Sequence, residues 1–199
     1  NNWKVSINNK REFILTRNTN IDKRFDGLYF NQDFTQPHIF KGTIKVNSDK
    51  CKVTFIMSTP MKESKFNEID AKDGAPMVYS RSTCDVTTFQ ASSNTVIDFK
   101  IYVWHNKGYL LSAAFLTCIG HPMSLVAKTI SKISDNYKLG VLSNGKVEIS
   151  KFEFCPLSKS WDYHTAPDIQ ERISEFPKGF FEGNIVLLKD TLINQGVIK

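Results

Sequence analysis

Four cysteines and four histidines are the side chains of this 199-residue sequence best suited to nucleophilic or metal chemistry. Their spacing argues against both. Cys51, Cys84, Cys118 and Cys155 stand 33, 34 and 37 residues apart, with no CxxC pair and no Cys/His cluster, whereas a zinc site draws its ligands from closely spaced pairs. His38, His105, His121 and His164 are scattered. Cys118 and His121 lie three apart, but the base of a catalytic thiol usually comes from a distant segment. Asp98 and Glu148 read as outward strand positions, with no spacing that implies shared proton transfer. Gly108, Gly120, Gly140 and Gly145 read as isolated turn glycines, not a phosphate-cradling run. The expectation is a protein that is not an enzyme, with no catalytic residues, no metal site and no cofactor. The even cysteine count permits two disulfides, although Cys51 and Cys118 sit in apolar runs where a buried free thiol is as natural.

Recognition is the other chemistry on offer. Along Ser93–Trp104, the residues Ile97, Phe99, Ile101 and Val103 fall on one side of a period-two pattern, and Asp98, Lys100, Tyr102 and Trp104 on the other. This is a strand with one apolar face to bury. Leaving Tyr102 and Trp104 in water on the opposite face would be unfavourable. They are assigned to an interface with another subunit or to an internal second layer, in preference to a ligand platform. A carbohydrate-binding module would instead combine Trp104 with Trp161-Asp162-Tyr163.

The elements that must position these residues are strands. His105-Asn106-Lys107-Gly108 turns the central strand back into Tyr109–Leu116, a β-hairpin. Trp3, Val5 and Ile7 alternate with Lys4, Ser6 and Asn8, and Asn8-Asn9-Lys10 turns into Glu12–Thr16. Short strands follow at Gly27–Phe30 and Phe40–Val46, the latter paired through Asn47–Lys50 with Cys51–Met57. Met77–Tyr79, Cys84–Phe89 and Val147–Ile149 are further pieces, and the phase slip at Ser150-Lys151 marks a bulge before Phe152-Glu153-Phe154. Helical spacing predicts a turn around Phe66 and Ile69, a short helix over Ser124–Ile133, and another starting near Thr165-Ala166-Pro167-Asp168. Gly179–Leu188 reads as a late strand. The fold class is all-β: a two-sheet antiparallel sandwich with one or two short helices. It is read as a single domain over 1–199, with a body over about 3–156 and a C-terminal extension over about 157–199.

Composition bounds the partners. A hydrophobic share of 41% with 15 Phe excludes a disordered chain. The net charge of +6 suits an anionic partner. Residues 1–24 carry six basic side chains against Glu12 and Asp22, so +4 of the +6 is concentrated there. No apolar run is long enough to span a bilayer, and no Asn-x-Ser/Thr acceptor occurs.

Phe40-Lys41-Gly42-Thr43-Ile44-Lys45-Val46 resembles the aromatic-x-Gly-Thr-Ile strand of the jelly-roll coat (capsid) proteins of picorna-like viruses. The plant type, with small coat proteins derived from a polyprotein, is the nearest. Val53–Met57, Thr88-Phe89-Gln90 and Val96–Val103 follow in that family's order. Trp3–Thr16 would be its first strand, with Tyr109–Cys118 and Val147–Pro156 as its last two. The helix-like Ser124–Ile133 and the long tail over 157–199 depart from the pattern. The resemblance implies a jelly roll whose function is assembly with other coat subunits into an icosahedral shell around genomic RNA, in a virion formed in the host cytoplasm. It implies no membrane partner, and it reads the start at Asn1 without Met as polyprotein release. Lys4, Lys10, Arg11 and Arg17 would face the RNA through phosphate contacts, and Tyr102 and Trp104 would meet another subunit. The competing expectation is a secreted or periplasmic β-rich interaction protein of the immunity or antitoxin kind, which two disulfides would favour.

Overall fold

The structure, a computed structural model, describes residues 2–20, 24–30, 36–58, 64–65, 77–79, 85–119, 121–132 and 137–174. In chain order the elements are β1 (Trp3–Ile7), β2 (Phe13–Arg17), β3 (Arg24–Tyr29), β4 (His38–Val46), β5 (Cys51–Ser58), β6 (Ser64–Lys65) and β7 (Met77–Tyr79). Then come β8 (Asp85–Ala91), β9 (Val96–Asn106), β10 (Tyr109–Cys118), β11 (His121–Lys132), β12 (Lys138–Ser143), β13 (Val147–Pro156) and α1 (Pro167–Ser174). The turn expected around Phe66 and Ile69, the strand expected over 179–188, and Cys84 lie outside the described residues.

Two antiparallel sheets pack face to face. One runs β1-β2-β13-β4-β9-β10-β11 and the other β6-β3-β12-β5-β8-β7. Within them, β2 pairs with β13, β3 with β12, β4 with β9, and β5 with β8. First pairs with last, second with second-to-last, and so inward, as in a long double ribbon. The ribbon is folded so that its successive pairs alternate between the sheets. That winding is a jelly roll, with β1, β10 and β11 widening one sheet and β6 and β7 the other.

Strand periodicity builds the core. Val53, Phe55 and Met57 of β5 and Ile97, Phe99, Ile101 and Val103 of β9 all point between the sheets. Phe40 is fully buried at the centre, its ring centroid 4.9 Å from Phe99, 5.7 Å from Phe55, and 4.8 Å from both Phe30 and Phe152. Phe152 and Phe154 reach this cluster because the register of β13 against β4 shifts between Ser150 and Glu153, where Lys151 adopts φ 50°. The bulge expected from the phase slip resets which side chains face inward. The central hairpin closes through Lys107 and Gly108, both at positive φ, as a two-residue loop requires.

Three expectations are corrected. The segment expected as a helix over Ser124–Ile133 is not helical over its described residues, Ser124–Lys132: β11 pairs along the whole of β10, with Leu125 opposite Phe115 and Val126 opposite Ala114. The buried backbone of β10 needs partners on both sides. A segment rich in β-branched residues supplies them more readily as a strand than as a helix. Consequently Tyr109–Cys118 is not the seventh strand of the roll; β12 is, and β10 with β11 is an inserted hairpin. Gly140 is no turn glycine but lies within β12, where a Cβ would sit 2.7 Å from the Tyr29 ring, a contact that leaves room only for hydrogen.

Candidate functional site

Three surfaces are candidates, and the first two carry the interface and RNA-facing residues singled out by sequence. The first is the outer face of β9 and β10. Tyr102 is 1% exposed and packs with Ala113, Phe115, Tyr163, Ala166 and Ile169 in a second, smaller core. Residues 157–174 fold across this face to complete it. The Trp161 ring stacks on Tyr102 at 5.4 Å and 6°, and Tyr163 stacks on Trp104 at 5.1 Å and 9°. Asp162 holds the turn, its Oδ1 accepting the His164 N–H and its carbonyl accepting those of Thr165 and Ala166. Of the two roles left open for this pair, an internal second layer is realised for Tyr102. Its own chain occupies the surface that another subunit was expected to use. Trp104 stays half-buried at the margin of that layer. Trp161 and Tyr163 belong to this packing, and the signal that could have assigned them is the aromatic pair spaced by two.

The second surface is the β1–β2 hairpin. Asn8 shapes its tip: Oδ1 accepts the N–H of Lys10 and of Glu12, and Nδ2 donates to Glu12 Oε2 at 2.9 Å. Arg11, at φ 61°, completes a three-residue loop. Lys4, Lys10 and Arg11 are exposed. Arg17 is not. It is 2% exposed, and its Nη1 donates to Gly145 O at 3.0 Å and Thr19 O at 3.1 Å. The expectation that it faces RNA is corrected: as the last residue of β2, opposite both Trp3 and Val147, it points into the sandwich. There it ties β2 to the β12–β13 turn.

Beside Arg17 lies the first of the four cysteines. Cys51 Sγ lies 3.3 Å from Ser143 Oγ, which donates to Gly145 O and accepts the Gly145 N–H. Burial pushes the thiol from 9.0 up to about 11, against smaller opposing effects of the Ser143 hydroxyl and the Arg17 charge. Tyr163, in the second core, is pushed by burial from 10.0 to about 12. Both groups are more acidic in the unfolded chain. Each therefore contributes stability that is complete below its unfolded pKa and is lost as pH rises through the folded value. The unfolding free energy from urea titration is expected to hold up to about pH 9 and then fall steeply towards pH 12, by roughly 3 kcal/mol for each two-unit shift. Cys51→Ala should flatten the part between 9 and 11; an unchanged profile in that variant would contradict the assignment. Cys51, Cys118 and Cys155 are free thiols.

The third surface is a groove of about 300 Å³ on the outer face of the larger sheet, beside the β13 bulge, lined in part by Lys41, Lys100, Lys151, Asp98 and Glu153. Its charges are largely engaged: Lys41 Nζ lies 3.0 Å from Glu153 Oε2, and Thr43 Oγ1 donates to Asp98 Oδ1 at 2.6 Å. Sequence reading missed it, because its lysines come from three strands distant in the chain. Cys118 and His121 face each other in register across the β10–β11 turn. Burial, with Asp98 nearby, raises the Cys118 thiol pKa, which disfavours the thiolate a nucleophile needs. Asp98 and Glu148 stand on different strands, Asp98 opposite Thr43 and Glu148 opposite Lys45. His38 is buried, its Nδ1 at 2.8 Å from Gln36 O and its ring stacked on Phe154. His105 and His164 are exposed. Among the described residues no three His, Cys, Asp or Glu side chains converge as metal ligands, and no helix is long and apolar enough to cross a membrane. Compared with models of known protein families and with curated proteins, the chain matches none.

Proposed function

We propose that this chain is a structural coat subunit, assembling with other coat subunits into a closed shell around an RNA genome in the host cytoplasm. The observation that carries the reading is the strand order, β2-β13-β4-β9 over β3-β12-β5-β8. It is the jelly roll that the sequence resemblance implies, reached through pairings that the resemblance did not use. A rigid wedge of two sheets with loops at its ends can make repeated contacts around symmetry axes. The exposed hairpin tip supplies charge: Lys10 and Arg11, with Lys4 behind them, contact phosphates without reading sequence.

The RNA part of the proposal is tested by reversing Lys10 and Arg11 to glutamate together, keeping Lys4 because it also stands on β1, the end strand of the larger sheet among the described residues. The expected product is particles of normal size whose nucleic-acid content, read from the ratio of absorbance at 260 and 280 nm, is lowered several-fold. Each lost phosphate contact should also lessen the salt dependence of RNA binding by roughly 0.7 to 0.9 in the log–log slope. Normal packaging at an unchanged slope would contradict the role of the tip.

A further inference from the structure

We infer that the outer edge of β1 is a self-association surface, pairing antiparallel with β1 of a second copy about a two-fold axis at Ser6. The inference names one contact of the assembly proposed above, and rests on that reading for its purpose.

Three observations carry it. First, β1 ends the larger sheet, and among the described residues no strand pairs with its outer edge. The edge carries none of the usual protections, having no proline and no bulge, and Lys4 is its one charged residue. Second, its apolar face continues beyond the core. Trp3 and Leu15 are buried between the sheets, but Val5, Ile7 and Phe13 on the same face are 56%, 62% and 51% exposed. They are three of the five large apolar side chains found exposed among the described residues. Third, the strand is complementary to itself. The Asn8 N–H donates to Glu12 O. The alternation of an antiparallel ladder then makes Ser6–Ile14 a bonded pair and turns the N–H and C=O of Val5 and Ile7 outward.

An axis at Ser6 sets Val5 of each copy opposite Ile7 of the other, and each such pair exchanges both of its backbone bonds. On the apolar face, Phe13 and Ile7 of one copy run on into Val5 and Leu15 of the other. On the opposite face Ser6 meets Ser6, and Lys4 meets Asn8 rather than another lysine. Glu12 is the next residue in that row, within reach of the Lys4 ammonium across two strands spaced about 4.8 Å each. Charge and hydrogen bonding are both satisfied by this one register. The area is small beside the roughly 1,200 to 2,000 Å² of a stable pairwise interface. The contact is therefore weak between two copies and effective where many are combined.

Ser6→Cys tests the geometry. Facing residues of a non-hydrogen-bonded pair have Cα atoms about 4.5 Å apart, within disulfide range. Under mild oxidation over a concentration series, the variant is expected to give a dimer linked through position 6 on both chains, identified by peptide mapping against Cys118 and Cys155. Adding Val5→Pro removes an outward N–H and leaves the β1–β2 ladder intact. It should lower the linked fraction about tenfold, with thermal unfolding unchanged. Position 6 remaining reduced, or linking only to Cys118 or Cys155, overturns the inference and would point to a head-to-tail contact such as β1 on β11. Particles without the position-6 link leave the shell reading standing and remove this contact. The link without particles leaves the contact standing and removes the shell.

Discussion

Phe40→Ala is expected to cost about 3 to 5 kcal/mol of unfolding free energy, a large part of the roughly 5 to 15 kcal/mol that holds a typical domain together. The reason is position. Phe40 is fully buried on β4, between β13 and β9, and its ring meets those of Phe30, Phe55, Phe99, Phe152 and Phe154 at centroid distances from 4.8 to 5.8 Å. The substitution loses the buried ring, leaves a cavity among other rings that cannot all close on it, and removes edge-on and tilted aromatic contacts. Phe40→Leu fills most of the volume and should cost clearly less. Denaturant unfolding measures both. A loss below about 1 kcal/mol for the alanine variant would mean that the two sheets are not joined through this cluster.

Arg17→Leu is expected to cost about 2 to 4 kcal/mol, although the new side chain is apolar and enters an apolar setting. The guanidinium is buried and bonded to the carbonyls of Thr19 and Gly145. Removing the donor strands the buried Gly145 carbonyl and the part-buried Thr19 carbonyl, and frees the β12–β13 turn from β2. Loss of that tie should also expose Cys51, which shares the Ser143–Gly145 network. The thiol should then react with an alkylating reagent much faster than in the parent protein. Equilibrium unfolding and thiol labelling, run together, check both halves. A stable Arg17→Leu protein with reduced RNA content would instead restore the phosphate-contacting role first expected of this residue.

Much of the architecture was legible because the strands are half-buried and alternate cleanly. β9 shows this best: Ile97, Phe99, Ile101 and Val103, assigned to one face, all lie in the main core, and of the other face Tyr102 lies in the second core with Trp104 at its margin. The β13 bulge was legible for the same reason, since a phase slip in an alternating strand has few other causes. What misled was spacing that suits two structures. Leu125, Val126 and Ile130 satisfy a helical stripe, yet their segment lies beside a ten-residue strand whose backbone must be bonded, and tertiary demand decided it. The same ambiguity shifts the seventh strand of the roll, because once the segment after β10 reads as a helix, β10 stands in the place that β12 fills.

The candidate surfaces were less legible, because burial of a polar group cannot be read from its type. Arg17 has the same composition signal as Lys10 and Arg11, and only the register with Trp3 and Val147 reveals that it points inward. Conversely, Val5 and Ile7 alternate as core residues do and remain exposed: both stand on the end strand of the larger sheet, and Ile7, opposite Phe13, lies past the point where β13 stops pairing with β2. Tyr102 needed burial, as expected, but its cover came from Trp161, nearly sixty residues later, which no local pattern could indicate.

The claim on which the rest depends is that this sandwich exists to contact copies and partners of its own kind. Native mass measurement of the purified 199-residue chain with RNA added, alongside electron imaging, tests it most directly. The account predicts closed many-copy particles that carry nucleic acid and fall apart as salt weakens the phosphate contacts. A salt-independent monomer at high protein concentration, with RNA present and no particle in the images, would contradict it.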